Sequence, residues 1–411
     1  MAKVKPFKAY RPTKELISKV AALPYDVYSS AEAREIVKDN PLSFLNIDRA
    51  ETQFPEGYDM YSKEVYEKAR DLLWNEIEDG VFIQDTDEYY YIYEQTMNGR
   101  TQTGIVGLSS IDDYLSGVIK KHENTREDKE IDRINHVDTC NAQTGPIFLC
   151  YRNDDRITQI LNKTKESVPV YDFVSEGNVL SRVWIIDQKD DIDAVSKAFS
   201  EMEHTYIADG HHRCASAVKV GLKRRESSAA QDHDQEYDFF LSVLFPDKEL
   251  QIMDYNRVVK DLNGLRPDLF LARLKEKFVV TESDVPVRPD KKGNFGMYLD
   301  EKWYILEATS DIIDIDVVEG LDVSILQNEV LYPILGIKDP RTDKRIDFIG
   351  GIRGLDELEK RCHEDMRVAF SMHPTSIDEL FAVADQGRLM PPKSTWFEPK
   401  LLSGMFIHAL S

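Results

Sequence analysis

The sequence has little of what several protein classes require. Four scattered cysteines in 411 residues, without a CxxC pair, exclude a disulfide-stapled scaffold and indicate reduced thiols. Seventeen prolines and 20 glycines are too few for a fibrous or disordered chain. The longest apolar run, residues 239–245, is far shorter than the roughly 20 residues of a membrane-spanning helix. These features predict a globular, cytoplasmic protein.

Positive charge is also scarce. The chain has 52 Lys and Arg against 74 Asp and Glu, which gives a formal net charge of −22. Nucleic acids and anionic membrane surfaces bind basic faces, so this balance argues against both as partners. It is compatible with a small phosphorylated molecule bound in a local positive pocket. No continuous apolar stretch follows the basic first 25 residues, so we expect no secretory signal. The oligomeric state is left open.

Local patterns predict a mixture of helices, hairpins and strands. Ser29 followed three residues later by Glu32 forms a capping box at the start of a helix. Asn98-Gly99 between aromatic and β-branched runs predicts a tight hairpin. Hairpins mixed with strand–helix units indicate an α+β (mixed α/β) fold rather than a regular doubly wound sheet.

Residues 239–245 predict a buried strand, and residues 250–259 are expected to pair with it. We expect three regions along the chain. The first is an N-terminal α/β region with the hairpin, and the last is a C-terminal α/β region. A catalytic core lies between them. The boundaries are 1–110, 111–262 and 263–411.

The best-defined local unit is a strand, a turn and a helix. The strand is predicted over 205–208, the turn at Asp209-Gly210, and the helix from about residue 212 to 220, stopped by Gly221. A helix N-terminus offers unpaired N–H groups and a partial positive charge to an anion.

Residues 209–213 have the composition of a phosphate cradle. Gly210 lets the backbone approach a ligand, Arg213 can bind an oxyanion in bidentate fashion, and His211 and His212 flank them. Asp209 is placed to hold Mg²⁺ or to orient a nucleotide hydroxyl. The alternative is a helix cap by Asp209 with two solvated histidines.

Two further pairs are candidates. His122-Glu123 can supply a general base for a hydroxyl, although charged helices often contain such pairs. The charged stretch from residue 122 to 133 is expected to be such a helix. Asp254 and Arg257 are expected at a sheet edge, where ligands commonly bind, and an Asp–Arg pair that closes the sheet is the alternative.

Several familiar chemistries are absent from the sequence. It has no GxxxxGK[ST] loop, no HExxH pair and no GxSxG elbow, which excludes Walker-type NTPases, zincins and serine hydrolases of that type. Zinc bound by His211, His212 and Cys214 is disfavoured, because adjacent histidines point in different directions.

The DGHHR string at 209–213 resembles the signature of the free-serine kinases of the ParB/sulfiredoxin-like superfamily. The order of the surrounding motifs is similar as well: His122-Glu123, Pro146-Ile147, DGHHR, then Asp254-Tyr255. The whole chain also resembles a bacterial and archaeal family, domain of unknown function 1015. The shared sequence motifs are PYDV, DGHHR, DYNRVV and MPPKSTWFEPKL, the last at 390–401.

The kinase resemblance implies a nucleotide-binding core with additional N- and C-terminal regions. It implies phosphorylation of free L-serine, or a similar small hydroxy-amino acid, with ATP or ADP as donor and Mg²⁺ as cofactor. Glu123 would be the general base and Asp209 would assist it by metal or hydroxyl contact. The donor's phosphates would lie on Gly210, His211, His212 and Arg213, and the substrate against His122, Asp254 and Arg257.

Two other functions remain open at the level of sequence. A ParB-like regulatory protein would bind a nucleotide at the same loop without turning over a small molecule. A nucleotide-using transferase or hydrolase would act on a different substrate. The role of the motif at 390–401 is also open, since it can close over the site or simply pack.

Overall fold

The computed structural model describes residues 1–125, 127–230 and 232–411. They form two compact units, residues 1–250 with 399–411 and residues 251–398. This division differs from the three regions expected with boundaries at residues 110 and 262. The reason is strand pairing, because strands from the expected first and second regions join one sheet.

Strand–helix units and runs of successive strands both occur along the chain, which confirms the α+β (mixed α/β) class. The described strands are β1 (Val4–Lys5), β2 (Tyr10–Pro12), β3 (Phe82–Gln84), β4 (Tyr90–Met97), β5 (Arg100–Ser110), β6 (Ile119–Lys120), β7 (Ala142–Gln143), β8 (Ile147–Tyr151), β9 (Tyr171–Ser175), β10 (Val179–Ile186), β11 (Thr205–Asp209), β12 (Phe239–Pro246), β13 (Ile252–Met253), β14 (Tyr255–Val259), β15 (Phe278–Ser283), β16 (Asn294–Leu299), β17 (Lys302–Ala308), β18 (Ile346–Gly350), β19 (Val368–Met372), β20 (Trp396–Phe397) and β21 (His408–Ala409). The described helices are α1 (Ile17–Val20), α2 (Ser30–Asp39), α3 (Leu45–Asp48), α4 (Lys63–Glu78), α5 (Ile111–Ser116), α6 (Glu127–Cys140), α7 (Asp155–Thr164), α8 (Lys189–Glu201), α9 (His211–Ser227), α10 (Pro267–Leu274), α11 (Asp322–Leu326), α12 (Asp356–Glu364) and α13 (Ile377–Asp385).

The first unit is built on a nine-stranded mixed sheet. Eight strands follow the order β6-β11-β8-β12-β5-β4-β10-β9, and β1 pairs with β5. Two of the pairings, β6 with β11 and β8 with β12, are parallel. Fully buried apolar side chains such as Ile105, Leu149, Ile207 and Leu244 form its core. The sheet places the carboxyl end of β11 directly before α9.

The hairpin predicted at Asn98-Gly99 is confirmed. β4 and β5 pair antiparallel up to Met97 and Arg100. This leaves only Asn98 and Gly99 in the turn. Both have positive φ, 52° at Asn98 and 77° at Gly99. Positive φ at both central positions is what a type I′ turn requires, and Asn-Gly adopts it readily.

The prediction that residues 250–259 pair with the 239–245 strand is wrong. β12 pairs with β5 and β8, whereas residues 250–259 form β13 and β14. β14 lies between β18 and β19 in another sheet, so it is not an edge strand either. Local sequence marks a strand but not its register with distant strands, because pairing depends on long-range contacts.

Gly221 does not end its helix. α9 continues through it to Ser227. A Cβ at this glycine would lie 2.4 Å from the carbonyl oxygen of Tyr237 and 2.7 Å from a methyl of Ile111. The residue is glycine because the helix passes close to a neighbouring backbone, a tertiary requirement that a local helix-stop signal cannot reveal.

Helices α2, α3, α4 and α6 form a second packed layer in the first unit. Their core includes Phe44, Ile47, Ala69 and Leu73, all fully buried. The capping box predicted at the start of α2 is present. This layer carries the polar cavity of the candidate site.

The second unit contains a six-stranded antiparallel sheet in the order β15-β17-β16-β19-β14-β18. Helix α12 packs on this sheet through the buried Leu358. A π-helical turn, Gln327–Leu331, follows α11 directly. No helix in the described part of the chain is both long and apolar enough to cross a membrane.

Candidate functional site

The predicted strand–turn–helix unit is confirmed and ends in a sharp bend. β11 stops at Asp209, Gly210 takes φ 89°, and α9 begins at His211. L side chains rarely adopt this φ, so glycine is the residue that allows the bend. The first N–H groups of a helix have no partner within the helix, so the bend presents donors and a partial positive charge to an anion.

Asp209 is held at this bend by two contacts. One carboxylate oxygen accepts the main-chain N–H of Gly210 at 2.8 Å, and the other lies 3.1 Å from Nζ of Lys400. Desolvation by the surrounding protein works against ionisation, but the charges of Lys400 and Arg213 outweigh it and hold the pKa of Asp209 well below its usual range. The side chain is 36% exposed, so it remains accessible.

His122 contacts the bend through His211. Their rings meet edge to face with centroids 4.5 Å apart, and the main-chain N–H of His122 donates to Nε2 of His211 at 3.4 Å. Burial lowers the pKa of His122 to about 4, and burial followed by the nearby His122 lowers the pKa of His211 well below its usual value. Both rings are therefore neutral at pH 7.

The structure thus brings His122 to the DGHHR bend. Glu123 is half-buried and follows the buried His122 directly, before α6 begins at Glu127. The expectation that this pair lies on a helix is wrong, because the helix begins later. Residue 126, within the stretch expected to be helical, lies outside the described residues.

Arg213 connects the bend to a cavity. Its Nη1 donates to the carbonyl oxygen of Pro146 at 2.9 Å, and its guanidinium lies against Gly210. The side chain also lines a small cavity of about 30 Å³ together with Tyr25, Asp48 and Arg133. This cavity carries charges of both signs beside the bend at 209–213.

A larger polar cavity of about 340 Å³ shares that wall. Four residues contribute to the lining of both cavities: Tyr25, Asp48, Arg133 and His136. The larger one extends between the segment after α3, helix α4 and helix α6. Its volume is in the range typical of small-molecule sites.

Buried charges in the larger cavity are paired. Arg133 donates from Nε to Asp132 at 2.9 Å and stacks on the ring of Tyr25 at 4.0 Å, while Tyr66 donates to Asp132 at 2.9 Å. Burial opposes the charge of Arg133, but Asp132, Tyr25 and Asp48 together outweigh it and raise the pKa of the arginine. Asp48 accepts a hydrogen bond from Thr144 at 3.0 Å. The arrangement suits a ligand that carries both charges.

Asp254 and Arg257 belong to the second unit and do not pair with each other. Asp254 lies 3.4 Å from Arg288 and accepts from Asn256 at 2.7 Å. Arg257 donates to main-chain oxygens, among them that of Lys393 at 3.0 Å. The Asp–Arg pair considered as a sheet closure is therefore absent, and the assignment of both residues to substrate binding stays a prediction.

Metal ligands are sparse at the bend. Among the described residues, no group of three or more His, Cys, Asp or Glu side chains is arranged to hold a metal ion. Cys214 is a buried free thiol whose pKa burial raises. The expectation that Asp209 binds Mg²⁺ is not tested by the arrangement and stays a prediction.

One protein-family model matches most of the chain. The sequence model described as "Protein of unknown function (DUF1015)" matches residues 4–324. The chain belongs to this family. The expected family membership is therefore confirmed. No curated protein matches the chain significantly.

Solved structures give distant likenesses. A free serine kinase mutant in complex with ADP has a TM-score of 0.35 and 13% identity, over 72% of this chain and 88% of that one. SbnI with a C-terminal truncation, from Staphylococcus aureus, has a TM-score of 0.40 and 11% identity, over 72% and 85%. A conserved hypothetical protein from Pyrococcus furiosus has a TM-score of 0.34 and 16% identity, over 73% and 94%. At these scores nothing about the ligands of this chain follows.

Several residues near the bend and the cavities are not marked as site residues by any pattern in the sequence. Lys400 contacts Asp209 across 191 positions of sequence, and only its place in the 390–401 motif singled it out. Tyr25 lies in the PYDV motif, and the sequence assigns no role to that motif. Asp48, Asp132 and Arg133 carried no signal, because charged residues on helices are ordinary surface residues until packing encloses them.

Proposed function

We propose that this chain is a nucleotide-dependent kinase that phosphorylates the hydroxyl of free L-serine or a similar small hydroxy-amino acid. One observation supports this most: Arg213, next to the anion-binding bend, lines the same cavity wall as Arg133 and Asp48. A nucleotide phosphate on the bend and an amino acid in the polar cavity would lie side by side. Phosphoryl transfer depends mainly on such positioning and on neutralising the charge of the phosphoryl group.

The nucleotide is assigned to the bend. The N-terminus of α9 offers main-chain N–H groups to phosphate oxygens, and the side chains of Arg213 and Lys400 add positive charge. Asp209 orients Lys400 through their 3.1 Å contact. Since His122 and His211 are neutral, they position the bend rather than add charge to it.

The acceptor is assigned to the larger cavity. Arg133 is placed to bind the carboxylate of an amino acid, and the acidic side chains of Asp48 and Asp132 to bind its ammonium group. Glu123 takes the proton of the acceptor hydroxyl. The hydroxyl oxygen then bonds to the terminal phosphorus of the donor as the bond from that phosphorus to the bridging oxygen breaks.

Asp209 alone does not form a complete site for Mg²⁺. Asp209 is a single carboxylate, and both of its oxygens already have N–H partners. Proteins commonly hold Mg²⁺ through one or two carboxylates together with the phosphates of a nucleotide, and such an ion would arrive with the donor. No step of the proposed reaction is assigned to it.

The test is a transfer assay with the full-length chain, ATP or ADP, Mg²⁺ and L-serine, with O-phosphoserine detected by mass spectrometry. We expect product with one of the donors and its loss in Glu123→Gln and Arg213→Gln. Lys223→Gln, at the exposed far end of the same helix α9, is the matched control and should retain activity.

The absence of transfer to every hydroxylated amino acid in a panel, with both donors, would remove the kinase proposal. Nucleotide binding that persists in that case would favour a regulatory nucleotide-binding protein. Transfer to water or to another class of acceptor would favour a different transferase or hydrolase.

A further inference from the structure

The second unit holds a cavity of about 300 Å³ that the proposed reaction does not use. Residues of five segments line it: β14, α11, the π-helical turn that follows α11, the loop at 338–341 and β18. Pro391 and Pro392 complete the wall. All lining residues belong to residues 251–398, so the cavity lies entirely within one compact unit.

A buried arginine without a carboxylate partner faces this cavity. Arg257 is only 3% exposed. Its guanidinium donates to the carbonyl oxygens of Tyr255 and Lys393 and lies over the ring of Phe348, with Cζ 5.5 Å from the centroid. Residues 251–398 are all described, and none of their carboxylates forms an ion pair with it. Burial lowers the pKa of Arg257 to about 10.

Such an arginine is costly for the protein. A buried charge is ordinarily paired, because removing it from water without an opposite charge costs several kcal/mol. A guanidinium also carries more N–H donors than two carbonyl oxygens take up. The site is therefore incomplete unless an anion occupies it.

The rim of the cavity adds positive charge. Lys338 is exposed, and Arg341 is exposed and paired with Asp339 at 2.8 Å. Three cationic side chains thus line the cavity against one carboxylate. This local excess stands out in a chain whose net charge is −22.

An unpaired acceptor supplies an independent observation. Gln327 donates from Nε2 to the carbonyl oxygen of Ile337 at 2.9 Å, which fixes the orientation of its amide. Its Oε1 is buried and receives no donor within the described residues. Buried acceptors are nearly always satisfied, and π-helical turns such as the one that begins here occur frequently at functional sites.

We infer that this cavity binds a small anionic metabolite that carries a phosphate or carboxylate group and at least one hydroxyl or amino donor. The anionic group binds Arg257 and Lys338, and the donor binds Oε1 of Gln327. Phe348 and the two prolines provide an apolar wall. This site is distinct from the DGHHR bend, and it stands whether or not the chain transfers phosphate.

The test is isothermal titration of the full-length chain with three probes. Inorganic phosphate is an anion without a donor on a carbon skeleton, glycerol 3-phosphate adds hydroxyls to a phosphate, and L-malate adds one to carboxylates. We expect glycerol 3-phosphate or L-malate to bind more tightly than phosphate, and the better of the two identifies the anionic group.

Matched variants locate the binding. Lys338→Gln should weaken the better probe about two- to fivefold, while Lys344→Gln, an exposed lysine that does not line the cavity, should leave it unchanged. Gln327→Met should remove the preference over inorganic phosphate. Arg213→Gln, at the bend of the first unit, should have no effect on this probe.

Three outcomes overturn the inference. None of the probes binds, the two lysine variants weaken binding equally, or Arg213→Gln rather than Lys338→Gln removes the binding. In the last case the probe occupies the nucleotide bend, and the proposed kinase function is unaffected.

Discussion

The two units differ in the partners of a buried arginine side chain. In the first unit, Arg133 is stacked on Tyr25 and paired with Asp132 at 2.9 Å. In the second unit, Arg257 is equally buried but faces only carbonyl oxygens and an aromatic ring. The paired arginine belongs to a site that suits a ligand with charges of both signs, whereas the arginine without a carboxylate partner suits a ligand that is an anion.

The bend of the first unit follows the same pairing rule. Asp209 and Lys400 form an ion pair at 3.1 Å, so their opposite charges offset each other. Under the two proposals, the first unit is organised for a reaction between two bound groups, and the second unit binds one anion.

The largest expected effect is on turnover and belongs to the first unit. Glu123→Gln removes the proposed general base, and we expect kcat for serine phosphorylation to fall about 10²- to 10⁴-fold. Steady-state kinetics with saturating L-serine measure this. Glu127→Gln, an exposed carboxylate at the start of α6, is the control. Equal rates in wild type and Glu123→Gln would show that Glu123 is not the base.

The second effect is on stability and compares the two arginines. Asp132→Asn leaves the charge of Arg133 buried without its partner, so the free energy of unfolding should fall by about 3–5 kcal/mol. Arg257→Gln removes an unpaired charge and keeps an amide donor, so its loss should be below about 1.5 kcal/mol. Urea denaturation of both variants measures this. Equal losses would mean that Arg257 is compensated within the chain.

A third effect uses ligand binding to stabilise the second unit. At a free concentration of one hundred Kd, the better of the probes glycerol 3-phosphate and L-malate should raise the free energy of unfolding of the wild type by about 2.7 kcal/mol. Arg257→Gln should show little of this increase. A shift in melting temperature of equal size in both proteins would place the probe elsewhere.

The smallest effect concerns pH. The pKa of Asp209 is lowered in the folded state, so its contribution to stability is full above the ordinary carboxylate pKa of about 4 and is lost as pH falls below that value. Lys400→Met removes the nearest positive charge and should make this acid-dependent loss smaller. Melting temperatures between neutral and acidic pH, for wild type and variant, measure the difference. Identical profiles would show that Lys400 does not set the pKa.

Local signals in the sequence predicted local structure well. The Asn98-Gly99 hairpin and the bend at Gly210 are both confirmed, because each depends on backbone conformations that neighbouring residues determine. The pairing of β12 and the passage of α9 through Gly221 were missed. Both depend on segments far away in sequence, which a local pattern does not encode.

The candidate site was predicted only in part for the same reason. His122 contacts His211, whereas the predicted role of Glu123 stays a prediction. Lys400 and Arg133 join the site through folding alone, and no spacing rule marks them. The cavity around Arg257 depends on Gln327 and Lys338, which no motif connected to it.

The central claim is that the bend at 209–213 binds a nucleotide beside the polar cavity, and a titration with ADP tests it most directly. We predict that wild type and Lys223→Gln bind ADP with the same affinity and that Arg213→Gln binds it about tenfold or more weakly, a difference of about 1.4 kcal/mol. Undiminished ADP binding by Arg213→Gln, or none by the wild type, would contradict the account.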